Sequence, residues 1–226
     1  SRKRVLIVLV VVVVAPLLLL LVEALAARRG AEVDTPDVAT LSAIHTPENS
    51  RGELRFLWLG DSTAAAVGTS EAKYAVSSDV GEAVSGACRV TIHTKVIAKS
   101  GARVEDVLRD QIPVAKDLGT DVALISIGAN DTIHLTSAAR FEQTYRTVID
   151  ELLAAGVDPD RIVLIGVPDM GSPPRLAQPL RALVGHRSRT LDERVFRGSK
   201  ETGVRYVDLF AGTSSPFRKH PTRYFA

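Results

Sequence analysis

A short apolar run that ends in Gly60-Asp61-Ser62 constrains the fold of this chain more than any other feature. The run, Leu-Arg-Phe-Leu-Trp-Leu at positions 54–59, has the length and aromatic content of a buried strand rather than a helix. The small residues that follow, at positions 63–66, suit the first turn of a helix. Ser62 is therefore predicted at a strand-to-helix turn, beyond the carboxyl end of a strand and near unpaired N–H groups. That position suits a nucleophile, although Asp61 and Ser62 taken alone are better explained as a helix cap.

The first 29 residues indicate an export segment rather than a part of the folded domain. Residues 5–22 are apolar throughout, apart from the imino acid Pro16, and are about long enough to cross a bilayer. The basic residues before them predict an N-terminus in the cytoplasm and a domain outside it. A cleaved signal peptide is the alternative, because Ala24-Leu25-Ala26 fits a small-x-small cleavage site. We expect a membrane anchor or signal peptide at 1–29, with the domain at the outer face of the cell membrane or secreted.

Charge and composition exclude several classes of protein. The chain has 28 basic and 26 acidic residues, but five of the basic residues and only one acidic residue lie in the first 29. The remainder is therefore near neutral, which gives no reason to expect nucleic acid as a partner. A single cysteine excludes an internal disulfide framework. Turn-forming residues between positions 30 and 52 predict a linker, and residues 53–226 predict one domain.

Apolar runs alternate with amphipathic stretches along the predicted domain. Strands are predicted at residues 54–60, 90–98, 121–127, 161–167 and 204–210. Helices are predicted at residues 103–118 and 141–155 and in parts of 174–202. Nearly continuous apolar strands separated by helices indicate a parallel sheet that is covered on both faces.

Distinctive residues follow three of these strands, at the edge where such sheets bind ligands. Gly60-Asp61-Ser62 follows the first strand, Gly101 follows the second, and Asn130-Asp131 follows the third. Acyl transfer through a serine needs donors aimed at the developing oxyanion, and a glycine amide and an asparagine carboxamide can supply them. Each motif also has a structural explanation, Gly101 as a turn and Asn130 as a helix cap. Because all three motifs follow strands at the same edge of the sheet, together they favour a catalytic site.

Together these motifs resemble those of the SGNH hydrolase, or GDSL-type esterase, family in its actinobacterial form, over about residues 54–210. Gly60-Asp61-Ser62 matches the block in which the serine is the nucleophile. Gly101 and Asn130 match the two residues that donate to the oxyanion. The resemblance implies a flavodoxin-like three-layer α/β/α sandwich with a parallel sheet, here preceded by an N-terminal hydrophobic helix, and no metal or organic cofactor.

The chain departs from the family pattern at its general base. The resemblance implies an Asp-x-x-His block near the C-terminus, but the residue three before His220 is Phe217 rather than aspartate. We therefore expect the catalytic aspartate and histidine to lie beyond Ala226. Asp208 with His220 is a substitute dyad at the wrong spacing, and His134 follows the wrong strand for a base that must reach the serine hydroxyl.

Other patterns are weaker. Glu193 and Asp192 are interspersed among a group of arginines, which predicts a solvated helix face. The arginines are Arg181, Arg187, Arg189, Arg194 and Arg197. No phosphate-binding glycine motif follows a strand, and no histidine, cysteine or carboxylate set has the spacing of metal ligands.

Two functions are consistent with these residues. The first is an exported serine ester hydrolase, in which Ser62 attacks the ester and Gly101 and Asn130 hold the oxyanion. Its substrate could be a small-molecule ester, a thioester, a polysaccharide O-acetyl group or a lipid, because pocket shape decides specificity. The second is a non-catalytic acyl- or glycan-binding domain that has lost its general base. The sequence does not predict the oligomeric state.

Overall fold

A computed structural model describes residues 36–174 and 176–220. In this part of the chain six strands form one sheet in the order β1-β3-β2-β4-β5-β6. The strands are β1 (Ala43–His45), β2 (Glu53–Gly60), β3 (Thr91–Ala98), β4 (Val122–Ser126), β5 (Ile162–Ile165) and β6 (Arg205–Val207). All neighbouring pairs are parallel except β1 with β3, which is antiparallel. The predicted α/β fold with a parallel sheet is confirmed, with one antiparallel strand added at an edge.

Helices connect the strands. They are α1 (Val76–Cys88), α2 (Val104–Asp106), α3 (Ile112–Lys116), α4 (Ala129–Ile133), α5 (Ala138–Ala154), α6 (Leu180–Thr202) and α7 (Leu209–Lys219). A π-helical turn, Val107–Gln111, joins α2 to α3 without a break. Short 3-10 turns lie at Val38–Leu41, Ala72–Tyr74 and Pro159–Arg161. None of the helices in the described ranges is long and apolar enough to span a membrane, and the predicted anchor at residues 1–29 lies outside those ranges.

The sheet separates two hydrophobic clusters because successive side chains of a strand point to opposite faces. Phe56 and Trp58 of β2 belong to one cluster, to which α1 contributes partly buried valines. Leu57 and Leu59 belong to the other cluster, which includes Phe141 of α5 and buried residues of α6. Helices therefore cover both faces of the sheet. The five parallel strands, numbered among themselves, follow the order 2-1-3-4-5 of flavodoxin-like folds.

Part of the predicted linker at 30–52 is built into the domain, so the prediction is wrong there. The 3-10 turn Val38–Leu41 and strand β1 occupy residues 38–45, and β1 pairs with β3. Leu41 is almost fully buried in the cluster that contains Trp58, and the Ser85 hydroxyl donates to the His45 carbonyl oxygen at 3.0 Å. Burial of Leu41 and the strand pairing offset the entropy of ordering these turn-rich residues.

The last predicted strand, residues 204–210, is also only half right. Strand β6 ends at Val207, and α7 begins at Leu209. The Asp208 carboxylate accepts a hydrogen bond from the Ala211 amide at 2.8 Å, and so satisfies one of the unpaired N–H groups of the helix. The cap therefore decides where the strand stops.

Candidate active site

The register of the sheet aligns the ends of β2, β3 and β4. Gly60 at the end of β2 lies opposite Ala98 of β3 and Ser126 of β4. Ser62, Gly101 and Asn130 come two, three and four residues after those three positions, respectively. The structure therefore places all three predicted residues at one edge of the sheet, beyond adjacent parallel strands. The β2/β4 boundary is also where the strand order reverses direction, which is where such folds bind ligands.

A polar clamp fixes the backbone directly before Ser62. The Gly60 N–H donates to the Gln111 side-chain oxygen at 2.9 Å, and the Gln111 side-chain nitrogen donates to the Gly60 carbonyl oxygen at 2.8 Å. Gln111 is only 4 % exposed and belongs to the π-helical turn. Sequence reasoning missed this residue, although a glutamine among the apolar residues of the predicted helix at 103–118 was a signal for it. Gln111 therefore holds the backbone that leads into the Ser62 turn.

The residues after Ser62 form successive turns rather than the predicted first turn of a helix. The Ala65 amide donates to the Asp61 carbonyl oxygen at 2.9 Å and the Val67 amide to the Ser62 carbonyl oxygen at 3.0 Å. Ala66 then has a φ of +54°, which is left-handed and interrupts any right-handed helix. The Ser62 side chain remains partly exposed in this turn.

Asn130 is held in place by the loop that carries Gly101. Its carboxamide nitrogen donates to the Ala102 carbonyl oxygen at 3.0 Å, and Asp131 accepts from the Val104 amide at 3.0 Å. Because a carboxamide nitrogen has two hydrogens, one remains for another acceptor. Gly101 is exposed and has a φ of +81°, so its backbone bends where few other residues could follow it. The loop after β3 and the start of α4 thus form one unit.

Two buried carboxylates lie under this edge. Asp61 is 1 % exposed, and burial raises its pKa to about 6; the charge of Asp131 adds to the increase, while hydrogen bonding by Thr63 opposes it. The Asp61 carboxylate accepts from the Thr63 amide at 3.0 Å. Burial also raises the pKa of Asp131, which has one carboxylate oxygen without a partner in the described structure. Both groups are costly to ionise in the folded state.

Asp61→Asn is expected to flatten the pH dependence of stability. Burial raises the pKa of Asp61 to about 6 in the folded state, so the folded protein binds this proton more tightly than the unfolded chain, in which aspartate has a pKa of about 3.9. The protonated Asp61 therefore stabilises the folded state at low pH. As the pH rises from 4 to 6 this contribution is lost, and the free energy of unfolding falls by up to about 3 kcal/mol. Asparagine can still accept from Thr63 but carries no charge to bury. Urea unfolding between pH 4 and pH 7 should show a smaller loss for the variant.

Asp37→Asn provides the matched control for this measurement. The Asp37 carboxylate also accepts from the amide two residues ahead, that of Ala39, at 3.0 Å, but Asp37 is exposed. Its substitution should leave the change in the free energy of unfolding between pH 4 and pH 7 as in the wild type. Parallel stability curves for the Asp61→Asn variant and the wild type would contradict the assignment of a buried, destabilising charge to Asp61.

None of the histidines in the described ranges is hydrogen-bonded to Ser62. The His134 ring lies 2.9 Å from the Asn130 carbonyl oxygen, and His93 lies beside Glu53. In the same ranges no cluster of histidine, cysteine and carboxylate side chains could hold a metal ion.

The substitute dyad of Asp208 and His220 is ruled out by α7. Asp208 caps the N-terminus of this helix and His220 caps its C-terminus. A rise of 1.5 Å per residue separates the two backbones by roughly 18 Å. Asp208 therefore cannot orient the His220 ring.

Comparison with known proteins decides the family. The model of the GDSL-like lipase/acylhydrolase family matches residues 58–226, about three quarters of the chain, and this span contains Ser62, Gly101 and Asn130. The chain belongs to this family. The predicted SGNH/GDSL family membership is thereby confirmed, and it supports an ester-hydrolysing enzyme, while the actinobacterial form stays a prediction. No curated protein matches the chain.

Solved structures of family members share the fold of this GDSL-like protein. AlinE4, an SGNH-hydrolase family esterase, is 18 % identical with a TM-score of 0.58, covering 72 % of this chain and 79 % of its own. A lipase/acylhydrolase from Enterococcus faecalis is 21 % identical with a TM-score of 0.55, covering 74 % and 82 %. A protein described as a GDSL-like lipase from Parabacteroides merdae is 17 % identical with a TM-score of 0.63, covering 79 % and 87 %. At these identities the similarity establishes the SGNH hydrolase fold.

Proposed function

We propose that this GDSL-like protein is a serine esterase that acts through an acyl-enzyme. The Ser62 hydroxyl oxygen attacks the ester carbonyl carbon, and the alcohol leaves with a proton as the acyl group becomes bonded to Ser62. Water then attacks the acyl-enzyme, releases the acid and restores the hydroxyl. The observation that carries this proposal is the alignment of Ser62, Gly101 and Asn130 beyond three adjacent strands.

The oxyanion donors in this proposal are the Ser62 N–H, the Gly101 N–H and the Asn130 carboxamide. Asn130 suits the role because one of its hydrogens is anchored on the Ala102 carbonyl oxygen, which leaves the other in a fixed direction. A donor fixed in advance costs no reorganisation when charge develops on the carbonyl oxygen. The general base is proposed to be a histidine outside the described residues, paired with an aspartate as in the family's Asp-x-x-His block.

The proposed site of action is outside the cytoplasm. Support comes from the sequence alone: basic residues at positions 2–4 precede the apolar run at 5–22, which can anchor the chain or direct its export. An extracytoplasmic ester, such as a lipid or a polysaccharide O-acyl group, would then be within reach of the domain.

Covalent labelling tests the nucleophile directly. The protein, expressed to its natural stop codon, is treated with a fluorophosphonate probe, and the modified peptide is identified by mass spectrometry. We expect the label on Ser62 and no label in the Ser62→Ala variant. Ser100→Ala removes an exposed hydroxyl at the same edge of the sheet and should be labelled like the wild type.

Two results would contradict the proposal. Equal labelling of the wild type and the Ser62→Ala variant would place the nucleophile elsewhere. Absence of labelling, together with saturable ligand binding that survives Ser62→Ala, would favour a non-catalytic binding domain.

A further inference from the structure

A concave site lies at the same edge of the sheet as Ser62, beyond β5. It is a cleft of about 650 Å³ between the loop after β5, the first half of α6 and the end of α7. This volume is in the range of small-molecule binding sites. Its lining includes Asp169, Arg181, His186, Arg189, Phe210 and Arg218. Positive side chains therefore predominate around it.

One of these cations is neutralised within the cleft. The Arg218 guanidinium donates to the Asp169 carboxylate at 2.5 Å, and Asp169 is 1 % exposed. Burial by itself would raise the pKa of Asp169, but hydrogen bonding by Ser172 and by the Gly171 amide, together with the charge of Arg218, holds it below its usual value. The Asp169 carboxylate thus remains charged and forms an ion pair with Arg218.

The other two arginines keep donors without a protein acceptor. One terminal nitrogen of Arg181 donates a hydrogen bond to the Pro174 carbonyl oxygen at 3.2 Å. The Nε of Arg181 is buried and has no partner in the described structure. The Arg189 guanidinium lies over the Phe210 ring at 4.8 Å, and no carboxylate of the described ranges pairs with it. A buried unpaired donor on a cation is costly unless an acceptor joins it.

The remaining arginines of α6 are occupied, which sets these two apart. Arg194 and Arg197 pair with Glu142 of α5 at 2.7 and 3.4 Å. Arg187 donates to the Thr132 carbonyl oxygen at 3.0 Å and also to that of Thr136. The predicted solvated helix face is therefore wrong for Arg187, because its long side chain reaches the carbonyl oxygens of Thr132 and Thr136.

We infer that this cleft binds an anionic group, a carboxylate or a phosphate, carried by the ester substrate. This inference rests on the proposed esterase function. Guanidinium forks match the planar oxygens of a carboxylate and those of a phosphate. Arg187 of α6 donates to the Thr132 carbonyl oxygen of α4, so the helix that lines the cleft contacts the helix that carries Asn130.

The sheet sets the separation between the anion and the ester. Strand β5 is two strands away from β2 in the sheet. At about 4.8 Å per strand, the carboxyl ends of β2 and β5, from which the two sites extend, are on the order of 10 Å apart. The substrate would therefore be an ester whose acidic group lies on the order of 10 Å from the scissile bond.

Binding can be measured without catalysis. Calorimetric titration with octanedioate and with hexyl phosphate should show saturable binding of at least one, weakened by added salt. Octane-1,8-diol, which has the same chain length and no anionic group, should bind at least about tenfold more weakly than octanedioate. The double variant Arg181→Gln/Arg189→Gln should lose that difference, while Arg197→Gln, on the same helix, should keep it. Circular dichroism confirms that both variants are folded.

Kinetics then separates this inference from the proposed function. The protein expressed to its natural stop codon is assayed with the mono-p-nitrophenyl ester of octanedioic acid and with p-nitrophenyl octanoate. We expect kcat/KM to be at least about tenfold higher for the anionic ester, and the ratio to approach one in the double arginine variant. Equal ratios in all three proteins, with both esters hydrolysed and no octanedioate binding, would overturn the anion site alone. Octanedioate binding with no hydrolysis of either ester would overturn the esterase and leave the anion site standing.

Discussion

Replacing Ser62 by alanine is expected to lower ester hydrolysis at least about 1000-fold. Without the hydroxyl no acyl-enzyme forms, and water must attack the ester directly. The donors of Gly101 and Asn130 remain, so some acceleration over the uncatalysed reaction should persist. The measurement is kcat for p-nitrophenyl acetate, with the protein expressed to its natural stop codon and the burst of p-nitrophenol recorded. The burst should disappear in the variant.

Asn130→Ala separates the nucleophile from the oxyanion donors. Loss of one donor of this kind lowers kcat by about 10²–10³-fold. The variant should nevertheless keep the Ser62 hydroxyl and react with the fluorophosphonate probe, although more slowly. If Ser62→Ala retains more than about a tenth of the wild-type rate, the acyl-enzyme mechanism at Ser62 is wrong. A wild-type rate for Asn130→Ala would instead remove Asn130 from the oxyanion site.

The position of the site could be predicted because two of the strands that carry it have a clear apolar pattern in the sequence. Residues 56–59 of β2 and 122–125 of β4 are continuous apolar runs, because both faces of the sheet are covered there, and each run ends where polar residues begin. The carboxyl ends of parallel strands meet at one edge, so Ser62 and Asn130 had to fall near each other. Resemblance to the family added the roles of these residues, which geometry alone does not supply.

The turn after Ser62 and the start of α7 could not be predicted from local pattern. Four small residues are compatible with a helix, but the left-handed Ala66 and the Gly60–Gln111 clamp come from the surrounding structure. Leu209 and Phe210 continue the apolar pattern of β6, so the cap formed by Asp208 was hidden by a pattern that fits both elements. Propensity is a weak guide where tertiary contacts decide.

The cleft at α6 was missed for a related reason. Helical periodicity predicts which residues share a face, but not which neighbours a long side chain can reach. Arg181 and Arg194 are both arginines on one helix, yet Arg194 meets Glu142 and Arg181 lines the cleft. Glu142, the partner of Arg194, belongs to a different helix, α5, and only the fold brings the two side chains together.

Gly60→Ala is expected to prevent folding or to lower the free energy of unfolding by more than about 4 kcal/mol. A Cβ at this position would lie 1.9 Å from the Ser126 carbonyl oxygen and 2.8 Å from its carbon. Those atoms are backbone of the adjacent strand β4 and can move only if the β2–β4 pairing opens. Gly60 also has a φ of +146°, which is strained for any residue with a side chain. Urea unfolding followed by the fluorescence of Trp58, the single tryptophan and a buried neighbour in β2, measures the effect.

Two further substitutions make this prediction quantitative. A Cβ added to Gly52 would meet nothing within 4 Å, so Gly52→Ala should change the free energy of unfolding by less than about 0.5 kcal/mol. Gln111→Ala should fall between them, at about 1–3 kcal/mol, because it leaves the buried Gly60 N–H without an acceptor. The loss in the free energy of unfolding should therefore decrease in the order Gly60→Ala, Gln111→Ala, Gly52→Ala. The three causes are steric overlap, a lost hydrogen bond and open space, respectively. A Gly60→Ala protein as stable as the Gly52→Ala protein would show that β2 and β4 do not approach closely before Ser62.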